Sequence, residues 1–267
     1  MAIRDGGNEV RPILKVEKLS KWYQDLQAVK EVSFEVYPGE MVGLLGPNGA
    51  GKTTILRTIT GVLRPTSGRV LVDGYDSVKD EIEVKRRVAY VPEAPNPYDL
   101  LTVWEHLEFI VRACHCLDGF RERALKLIER FQLTEKQYDL VGTLSKGMRQ
   151  KLAISCAFIR NASLYLLDEP LMGLDPRGQK EVKLLIQETC QKGAAVLIST
   201  HILSTAEELC DRVVILSRGV IVAEGTLEEI KGRMGVGRDT TLEEVFLTLT
   251  EEARAYGSSS MAGTDTP

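Results

Sequence analysis

The chain has 267 residues, enough for one large domain or two modest ones with a sizeable core. Its 34 Lys and Arg residues against 38 Asp and Glu residues give a net charge of −4. Because affinity for nucleic acid comes chiefly from clustered Lys and Arg, this balance argues against a nucleic acid as the main partner. The chain has no apolar run of membrane-spanning length, and its N-terminus lacks the apolar core of a signal peptide, which predicts a soluble, cytoplasmic protein.

The five cysteines are scattered through apolar stretches without a repeated pair spacing. This pattern predicts reduced core thiols. The closest cluster, Cys114-His115-Cys116, has no second pair to complete four ligands, which argues against a metal site there.

The first third of the chain has the pattern of β structure. Short apolar runs, one of them clearly alternating with polar residues, are separated by Pro and Gly turns. A segment that carries Trp22 and Tyr23 joins the first two runs. The predicted strands of this part lie at residues 13–18, 32–36, 41–45, 70–72 and 88–91.

After residue 92 the spacing of the apolar residues becomes helical, which predicts a helical insertion over residues 93–163. Strands and helices then alternate, which predicts a parallel sheet covered on both faces. A short C-terminal helix, with Thr241 and Glu244 as a capping box, precedes a polar tail. The predicted elements of this part are a strand at 164–167, a helix at 178–191, a strand at 195–199, a hairpin of 213–216 with 220–223, and a helix at 241–249.

The loop at residues 46–54, GPNGAGKTT, has the pattern of a phosphate-binding loop and lies between an apolar strand and a helix. Gly46 and Gly51 allow the backbone to bring its N–H groups to phosphate oxygens, and the helix adds its positive dipole end. Lys52 would reach the β- and γ-phosphates, and the Thr53 hydroxyl would bind Mg²⁺. The alternative is a glycine-rich turn that fits the pattern by chance.

Two adjacent acids, Asp168 and Glu169, follow the predicted strand at 164–167. At the carboxyl end of a parallel strand they would lie beside the phosphate loop, where Asp168 would hold Mg²⁺ through its water shell. Glu169 would accept a proton from the water that attacks the γ-phosphate. Without the loop upstream, an exposed turn would be the better interpretation of the pair.

A third motif, LSKGMRQK at residues 144–151, opens an apolar helix. Ser145 is placed to cap this helix and Gly147 allows close approach to its backbone, so the motif offers a second anion-binding helix N-terminus. Taken alone, the motif also fits an ordinary N-cap.

These motifs resemble, in order and number, those of the nucleotide-binding subunits of ABC transporters, from residue 14 to about residue 224. The chain is most similar to the Ecs-type and ABC-2 exporter ATPases, through YVPE at 90–93, SKGM at 145–148 and TLEEVF at 241–246. The matching motifs are Walker A at 46–54, the signature at 144–150, Walker B at 164–169, the D-loop at 173–175, the switch histidine His201, and Tyr23 as the aromatic residue that stacks on adenine.

The resemblance implies an α/β fold of the P-loop NTPase, ABC-ATPase type, in which a mixed sheet core carries an N-terminal antiparallel β subdomain and a helical subdomain. The implied parts of the chain are a first part of the ATP-binding core with the antiparallel subdomain at 12–92, a helical signature subdomain at 93–163, a second part of the core at 164–232, a C-terminal helix at 233–252, and a disordered tail at 253–267.

The resemblance also implies ATP and Mg²⁺ as ligands and ATP hydrolysis as the activity. Two cassettes would close head to tail, so that Ser145 and Gly147 of one subunit complete the site of a second subunit, either a copy or a different chain. A polytopic membrane subunit would dock near residues 93–111, hold the chain at the inner face of the cell membrane, and carry cargo, with export as the expected direction. A solvated loop is the alternative for the docking segment.

The site residues that the resemblance implies fall into three groups. His201 would otherwise be a core histidine, and Tyr23 a core aromatic with Trp22 as the alternative stacking residue. The groups are Glu169 and His201 as catalytic residues; Tyr23, Val29, Pro47, Asn48, Gly49, Ala50, Gly51, Lys52, Thr53, Thr54, Ser145, Gly147 and Asp175 as nucleotide-binding residues; and Thr53, Glu93 and Asp168 as metal ligands.

The sequence departs from the family pattern at three positions. Glu93 stands where most cassettes have Gln, and a carboxylate there places another negative group near a triphosphate, which predicts an altered metal dependence. Lys146 and Met148 replace the commoner Gly and Gln of the signature, and we hypothesise that Lys146 compensates for the charge of Glu93. Because Ser145 and Glu169 are retained, the departures do not predict loss of hydrolysis.

Two other classes of protein share parts of this pattern. A soluble ABC ATPase outside transport would tend to have two cassettes, a long coiled coil or an added binding domain, and the sequence has none of these patterns. A P-loop kinase would transfer the phosphoryl group to a small molecule, and the signature and the Asp-Glu pair argue against it.

Overall fold

The computed structural model describes residues 4–5, 8–237 and 240–259. The described strands are β1 (Arg4–Asp5), β2 (Asn8–Glu9), β3 (Leu14–Tyr23), β4 (Leu26–Val36), β5 (Met41–Leu45), β6 (Ser67–Val72), β7 (Tyr75–Asp76), β8 (Val88–Val91), β9 (Leu164–Asp168), β10 (Ala195–Thr200), β11 (Arg212–Ser217) and β12 (Val220–Gly225). The described helices are α1 (Lys52–Ile59), α2 (Glu81–Arg87), α3 (Val103–Ala113), α4 (Phe120–Arg130), α5 (Lys146–Phe158), α6 (Pro176–Gln191), α7 (Leu203–Leu209), α8 (Leu227–Met234) and α9 (Leu242–Ser259).

The central sheet has the strand order β12-β11-β5-β10-β9-β8, in which all neighbours are parallel except β11 and β12. Its three middle strands are buried along their whole length, as expected for parallel strands covered on both faces. In β9, Leu164 and Leu166 enter one hydrophobic cluster, while Tyr165 and Leu167 enter another. The predicted two-faced sheet is therefore confirmed, and the predicted hairpin supplies its antiparallel edge.

The register of this sheet brings the ends of its middle strands to one edge. Ser199 of β10 pairs with Asp168 of β9, and Thr200 pairs with Leu45 of β5. Loops that follow strands ending at the same level meet outside the carboxyl edge of the sheet, where ligands bind in α/β folds. The phosphate loop, the acid pair and the segment around His201 all follow these strands.

A separate antiparallel sheet of order β4-β3-β6-β7 is formed by the N-terminal part. The sequence predicted that Trp22 and Tyr23 lie in a connecting segment, and this is wrong because β3 continues to Tyr23. The strand contains irregular pairing between Val16 and Trp22, and Lys18 has a positive φ of 45°. Such bulges break the alternation of side chains, so the pattern in the sequence ends before the strand does.

The helical insertion is formed by α3, α4 and α5, packed around a shared apolar core. Leu107, Ile128, Phe131 and Leu152 are completely or almost completely buried in it. A capping box of Thr102 and Glu105 begins α3, so the first ten residues of the predicted helical stretch are an irregular, extended segment. None of the described helices is both long and apolar enough to cross a membrane.

The C-terminal helix α9 begins after the predicted capping box, in which the Thr241 backbone N–H donates to Glu244 Oε2 over 2.8 Å. It extends to Ser259 and not only to residue 249, so the prediction of a disordered tail is wrong for residues 253–259. The sequence EEARA at residues 251–255 has high helix propensity, which outweighs its lack of apolar periodicity. Residues 260–267 of the predicted tail lie outside the described residues.

Candidate active site

The loop between β5 and α1 wraps closely against its surroundings. A Cβ atom on Gly46 would lie 2.6 Å from the Leu216 carbonyl oxygen, and one on Gly51 would lie 2.7 Å from the Ala28 carbonyl oxygen. Gly51 also has a φ of 106°, in the region that side chains disfavour. Both glycines are therefore required by the fold of the loop, which allows its N–H groups to approach a ligand.

Lys52, the first residue of α1, has only 8% of its surface exposed. Its ammonium donates to the carbonyl oxygens of Gly46 and Pro47 over 2.6 and 3.2 Å. Burial lowers the pKa of Lys52. The carboxylates of Glu169, Asp168 and Glu93 act in the opposite direction, and a bound phosphate would add to them.

Asp168, at the end of β9, is 2% exposed and accepts a hydrogen bond from the Thr53 hydroxyl over 3.0 Å. Glu93 lies on the same cleft at the start of the irregular segment after β8, and its side chain is exposed. Hydroxyl and carboxylate oxygens are the ligands that Mg²⁺ takes, so the three predicted metal ligands fit this ion. The structure brings all three together, as predicted.

Glu169 is held in one position by three donors. Its Oε1 accepts from the His201 backbone N–H over 2.9 Å, and its Oε2 accepts from the Thr200 hydroxyl over 3.1 Å. His201 Nδ1 lies 2.7 Å from Oε1, and because a carboxylate only accepts, the Nδ1 atom carries the proton of this hydrogen bond. The carboxylate is 7% exposed, so it is fixed and largely desolvated at the edge of the cleft.

The backbone of Glu169 has a φ of 48°, which is left-handed and unusual for a residue with a long side chain. Its N–H donates to the Ser199 carbonyl over 2.9 Å, and its carbonyl accepts from Met172 over 3.1 Å. Such a conformation costs about 1–3 kcal/mol and persists where the surroundings impose it, often in active sites. The strain turns the side chain from strand β9 toward Thr200 and His201.

These groups line a cleft with a volume of about 620 Å³. Tyr23 lines one end and is 42% exposed, whereas Trp22 is equally exposed but does not line the cleft. Of the two aromatic residues considered from the sequence, Tyr23 is therefore the one placed at the site. The predicted residues that line the cleft are Tyr23, Asn48, Gly49, Ala50, Gly51, Lys52, Thr53, Thr54, Glu93, Asp168, Glu169 and His201.

Two predicted residues of the same region do not line the cleft. Val29 is completely buried in the core beneath the loop, and the neighbouring Ala28 and Leu26 line the cleft in its place. Pro47 contributes its carbonyl oxygen to Lys52. The predicted strand at 32–36 does not include Val29, whereas β4 begins at Leu26. Irregular pairing with β3 interrupts the alternation that would show which residues of β4 face inward.

Asp175 was predicted to bind the nucleotide, and the structure places it elsewhere. It begins helix α6, and its Oδ1 forms an ion pair of 2.9 Å with Lys151 of α5. This pair lowers the pKa of Asp175. Within one chain the residue therefore joins two helices and does not reach the cleft.

The signature residues also lie outside the cleft of their own chain. Ser145 caps α5 as predicted, with its hydroxyl accepting from the Met148 backbone N–H over 3.3 Å, and both Ser145 and Lys146 are exposed. A Cβ atom on Gly147 would lie 3.0 Å from the Gly173 carbonyl oxygen, so this glycine allows close packing of α5 against the D-loop. The N-terminus of α5 thus faces outward from the chain.

Two residues of this site were not predicted from the sequence. Met172 lines the cleft, and Thr200 donates a hydrogen bond to the Glu169 carboxylate. The strand register could have located Thr200. Ser199 pairs with Asp168, so the next residues along the two strands, Thr200 and Glu169, must lie side by side. The five cysteines are free thiols, and no group of three potential metal ligands occurs among the described His, Cys, Asp and Glu residues. The prediction of reduced core thiols is consistent with this arrangement.

Comparison with known proteins adds independent findings. Residues 29–172 match the family model described as ABC transporter. The chain is 38% identical over 241 residues to the ABC-type transporter ATP-binding protein EcsA of Bacillus subtilis (strain 168), which covers 90% of this chain and 97% of that protein.

Solved structures agree with the sequence relatives. A structure described as the ATP-binding subunit of an ABC transporter has a TM-score of 0.86 and 38% identity, covering 89% of this chain and 99% of that one. A dimeric ATP-binding cassette in a post-hydrolysis state, bound to ADP and Pi, has a TM-score of 0.72 and 26% identity, covering 80% of this chain and 98% of that one. The predicted P-loop fold of the ABC-ATPase type is thereby confirmed.

Proposed function

The chain belongs to the ABC transporter family as an ATP-binding subunit, and from this premise we propose that two copies close head to tail around two Mg·ATP molecules. One observation carries the proposal: Ser145 and Gly147 lie at the outward-facing N-terminus of α5 and not in the cleft of their own chain. A helix N-terminus favours a phosphate, because its dipole and N–H groups point at the anion. In a head-to-tail pair, each α5 N-terminus would face the γ-phosphate in the cleft of the other copy.

The activity is hydrolysis of ATP to ADP and phosphate. We assign Glu169 as the general base, which takes a proton from water while the water oxygen attacks the γ-phosphorus and the bond to the β-phosphate oxygen breaks. The three donors on its carboxylate fix its orientation toward the cleft. His201 holds Glu169 through Nδ1 and would contact the γ-phosphate through its other nitrogen.

The phosphates would be bound by the loop that precedes α1. Backbone N–H groups of residues 48–53 and the Lys52 ammonium would neutralise the charge that accumulates on the β- and γ-phosphate oxygens. Mg²⁺, when bound, would supply further positive charge to stabilise the phosphate oxygens. Thr53, Asp168 and Glu93 would hold the ion, directly or through water.

Adenine would stack on Tyr23 at the end of strand β3. The ring lies at one end of the cleft, 42% exposed, with the Lys21 ammonium 5.4 Å from its centroid. An exposed aromatic face beside a phosphate loop offers a nucleobase a stacking surface without base-specific hydrogen bonds.

A polytopic membrane subunit is the proposed partner. The irregular segment that precedes α3 exposes Tyr98 by 59% and Leu100 by 87%, which is unusual for apolar side chains in water. A groove of about 500 Å³ lies beside β8 and the end of α3, with Val62 and Ile82 exposed at its rim. The exposed Tyr98 and Leu100 lie within the predicted docking segment 93–111, and an apolar surface of this kind suits a helix from the partner. This contact would place the chain on the inner face of the membrane, and the similarity of its motifs to exporter ATPases favours export.

Two measurements test this function. Purification from membranes in mild detergent should recover a polytopic membrane protein that stimulates phosphate release, and recovery of soluble partners alone would contradict the transport role. The products of ATP turnover should be ADP and free phosphate. A phosphorylated small-molecule acceptor would instead indicate a kinase.

A further inference from the structure

The exposed segment at residues 98–101 is hydrogen-bonded to the short 3-10 helix Val141–Thr143, which leads into the signature. The Val141 N–H donates to the Leu101 carbonyl over 2.8 Å, and the Gly142 N–H donates to the Asp99 carbonyl over 3.0 Å. Thr102 and Leu140 form an isolated antiparallel bridge in the same place. The two segments are therefore joined directly through their backbones.

Arg149 of the signature helix adds a side-chain connection between the same segments. Its Nη1 lies 3.1 Å from Asp99 Oδ1, and its Nη2 donates to the Gly142 carbonyl over 2.8 Å. Its Nε donates a hydrogen bond to the Leu144 carbonyl oxygen over 3.3 Å. That carbonyl belongs to the peptide that joins Leu144 to Ser145, so the guanidinium contacts the residue that immediately precedes the signature serine.

The packing at this contact leaves little freedom. A Cβ atom on Gly142 would lie 3.2 Å from the Asp99 carbonyl oxygen and 3.3 Å from the Asp99 Cβ. The planar guanidinium has its donors in a fixed fork, so a change in the position of Asp99 changes the direction of the other hydrogen bonds of Arg149. Asp99 is thus linked to Leu144, the neighbour of Ser145, through a single guanidinium.

A second contact ties the exposed segment to the same helix. The Tyr98 backbone N–H donates to His106 Nε2 over 3.1 Å, and His106 Nδ1 lies 3.3 Å from the Sγ atom of Cys156 in α5. His106 is 6% exposed, so this contact is inside the helical part of the chain. Tyr98 is therefore linked to α5 through His106 of α3, and Asp99 is linked to α5 directly through Arg149.

We propose that Asp99 is a positioning residue for hydrolysis: through Arg149 it sets the position of Ser145, and a partner bound to residues 98–101 acts on Ser145 by this route. The proposal rests on the proposed function in two respects: that Ser145 acts on the γ-phosphate of the second copy, and that a partner binds the exposed segment. Asp99 itself is not among the residues that line the cleft.

Steady-state ATP hydrolysis by the full chain tests the proposal with Asp99→Asn. We expect kcat to fall about two- to fivefold, the effect of losing an ion pair with partly exposed side chains, while the KM for ATP stays unchanged because the cleft is intact. Asp99→Glu should restore kcat. The matched control is Asp139→Asn, which removes the equally exposed Lys136–Asp139 ion pair of 2.7 Å on the same part of the chain and should leave kcat unchanged.

A double-mutant cycle identifies the route. Arg149→Gln should lower kcat at least as much as Asp99→Asn, and the double variant should be no slower than Arg149→Gln alone. Independent effects of the two substitutions, an unchanged kcat of Asp99→Asn, or an equal loss in Asp139→Asn would overturn the proposal. If Ser145→Ala lowers kcat while Asp99→Asn does not, Asp99 has no positioning role, but the proposal that Ser145 completes the site of a second subunit is retained. If Ser145→Ala leaves kcat unchanged, the proposal of a shared site is wrong, and the positioning role of Asp99 is wrong as well.

Discussion

The phosphate loop and the signature both place a hydroxyl residue and glycines at a helix N-terminus, yet they differ in how much of their chemistry lies within one chain. Thr53 contacts Asp168, and Lys52 is buried beside the acid pair, so the first site is assembled by the parallel sheet. Ser145 is exposed, and its hydroxyl contacts only the backbone of its own helix among the described residues. This difference supports the proposal that the signature is half of an interface between two subunits.

The largest expected effect is on the preassembled side. Glu169→Gln keeps the shape of the side chain but removes the general base, which contributes about 10²- to 10⁴-fold to such reactions. We expect kcat to fall by that factor while ATP still binds, because the loop and Lys52 are untouched. Phosphate release and equilibrium binding of a fluorescent ATP analogue measure the two quantities. Near-normal turnover of the Glu169→Gln variant would show that Glu169 is not the general base and that another group takes the proton from water.

On the signature side, Ser145→Ala should lower kcat about 100-fold, the usual effect of removing one donor to a developing anion. It should also cost about 1 kcal/mol of stability, because the helix loses its N-cap. Ser145→Asp is the matched control, since aspartate caps a helix but repels phosphate. We expect Ser145→Asp to have normal thermal stability and low kcat. Recovery of activity in Ser145→Asp would show that only the cap matters.

Tyr23→Ala tests the far end of the cleft. Loss of base stacking should weaken ATP binding by about 1–3 kcal/mol, or roughly 5- to 150-fold. Trp22→Ala is the matched control, because Trp22 is equally exposed but does not line the cleft. Direct titration with ATP measures both variants. A larger loss for Trp22→Ala than for Tyr23→Ala would reverse their assignment.

The smallest expected effect concerns Glu93, the exposed acid of the metal site. Removal of one negative charge in Glu93→Gln should shift the Mg²⁺ concentration for half-maximal hydrolysis by about threefold, with a smaller change in kcat. Identical Mg²⁺ profiles for the two proteins would mean that Glu93 does not meet the ion. A cycle with Lys146→Gly then tests the compensating charge of the signature, and the absence of coupling energy would remove that hypothesis.

Much of the preassembled side was predictable, because it depends on local pattern and on strand register. The GPNGAGKTT loop and the two acids after an apolar strand are the groups to which we assign phosphate and metal binding, and parallel pairing brings them to one edge. What the sequence did not predict depends on three-dimensional packing. The bulges of β3 conceal that Tyr23 ends a strand and that Val29 faces the core. The pairing of Asp175 with Lys151 and the contact of Asp99 with Arg149 join residues from different elements, which no periodicity reveals.

The most direct test of the shared site is to mix two defective variants of this chain. Lys52→Met disables the cleft but keeps the signature, and Ser145→Ala disables the signature but keeps the cleft. A head-to-tail pair that contains one chain of each variant has one functional site, in which the intact cleft of the Ser145→Ala chain meets the intact signature of the Lys52→Met chain. Random pairing therefore predicts recovery of about a quarter of the normal hydrolysis in an equimolar mixture. A mixture no more active than the average of its two components would contradict the account, because each site would then be complete within one chain.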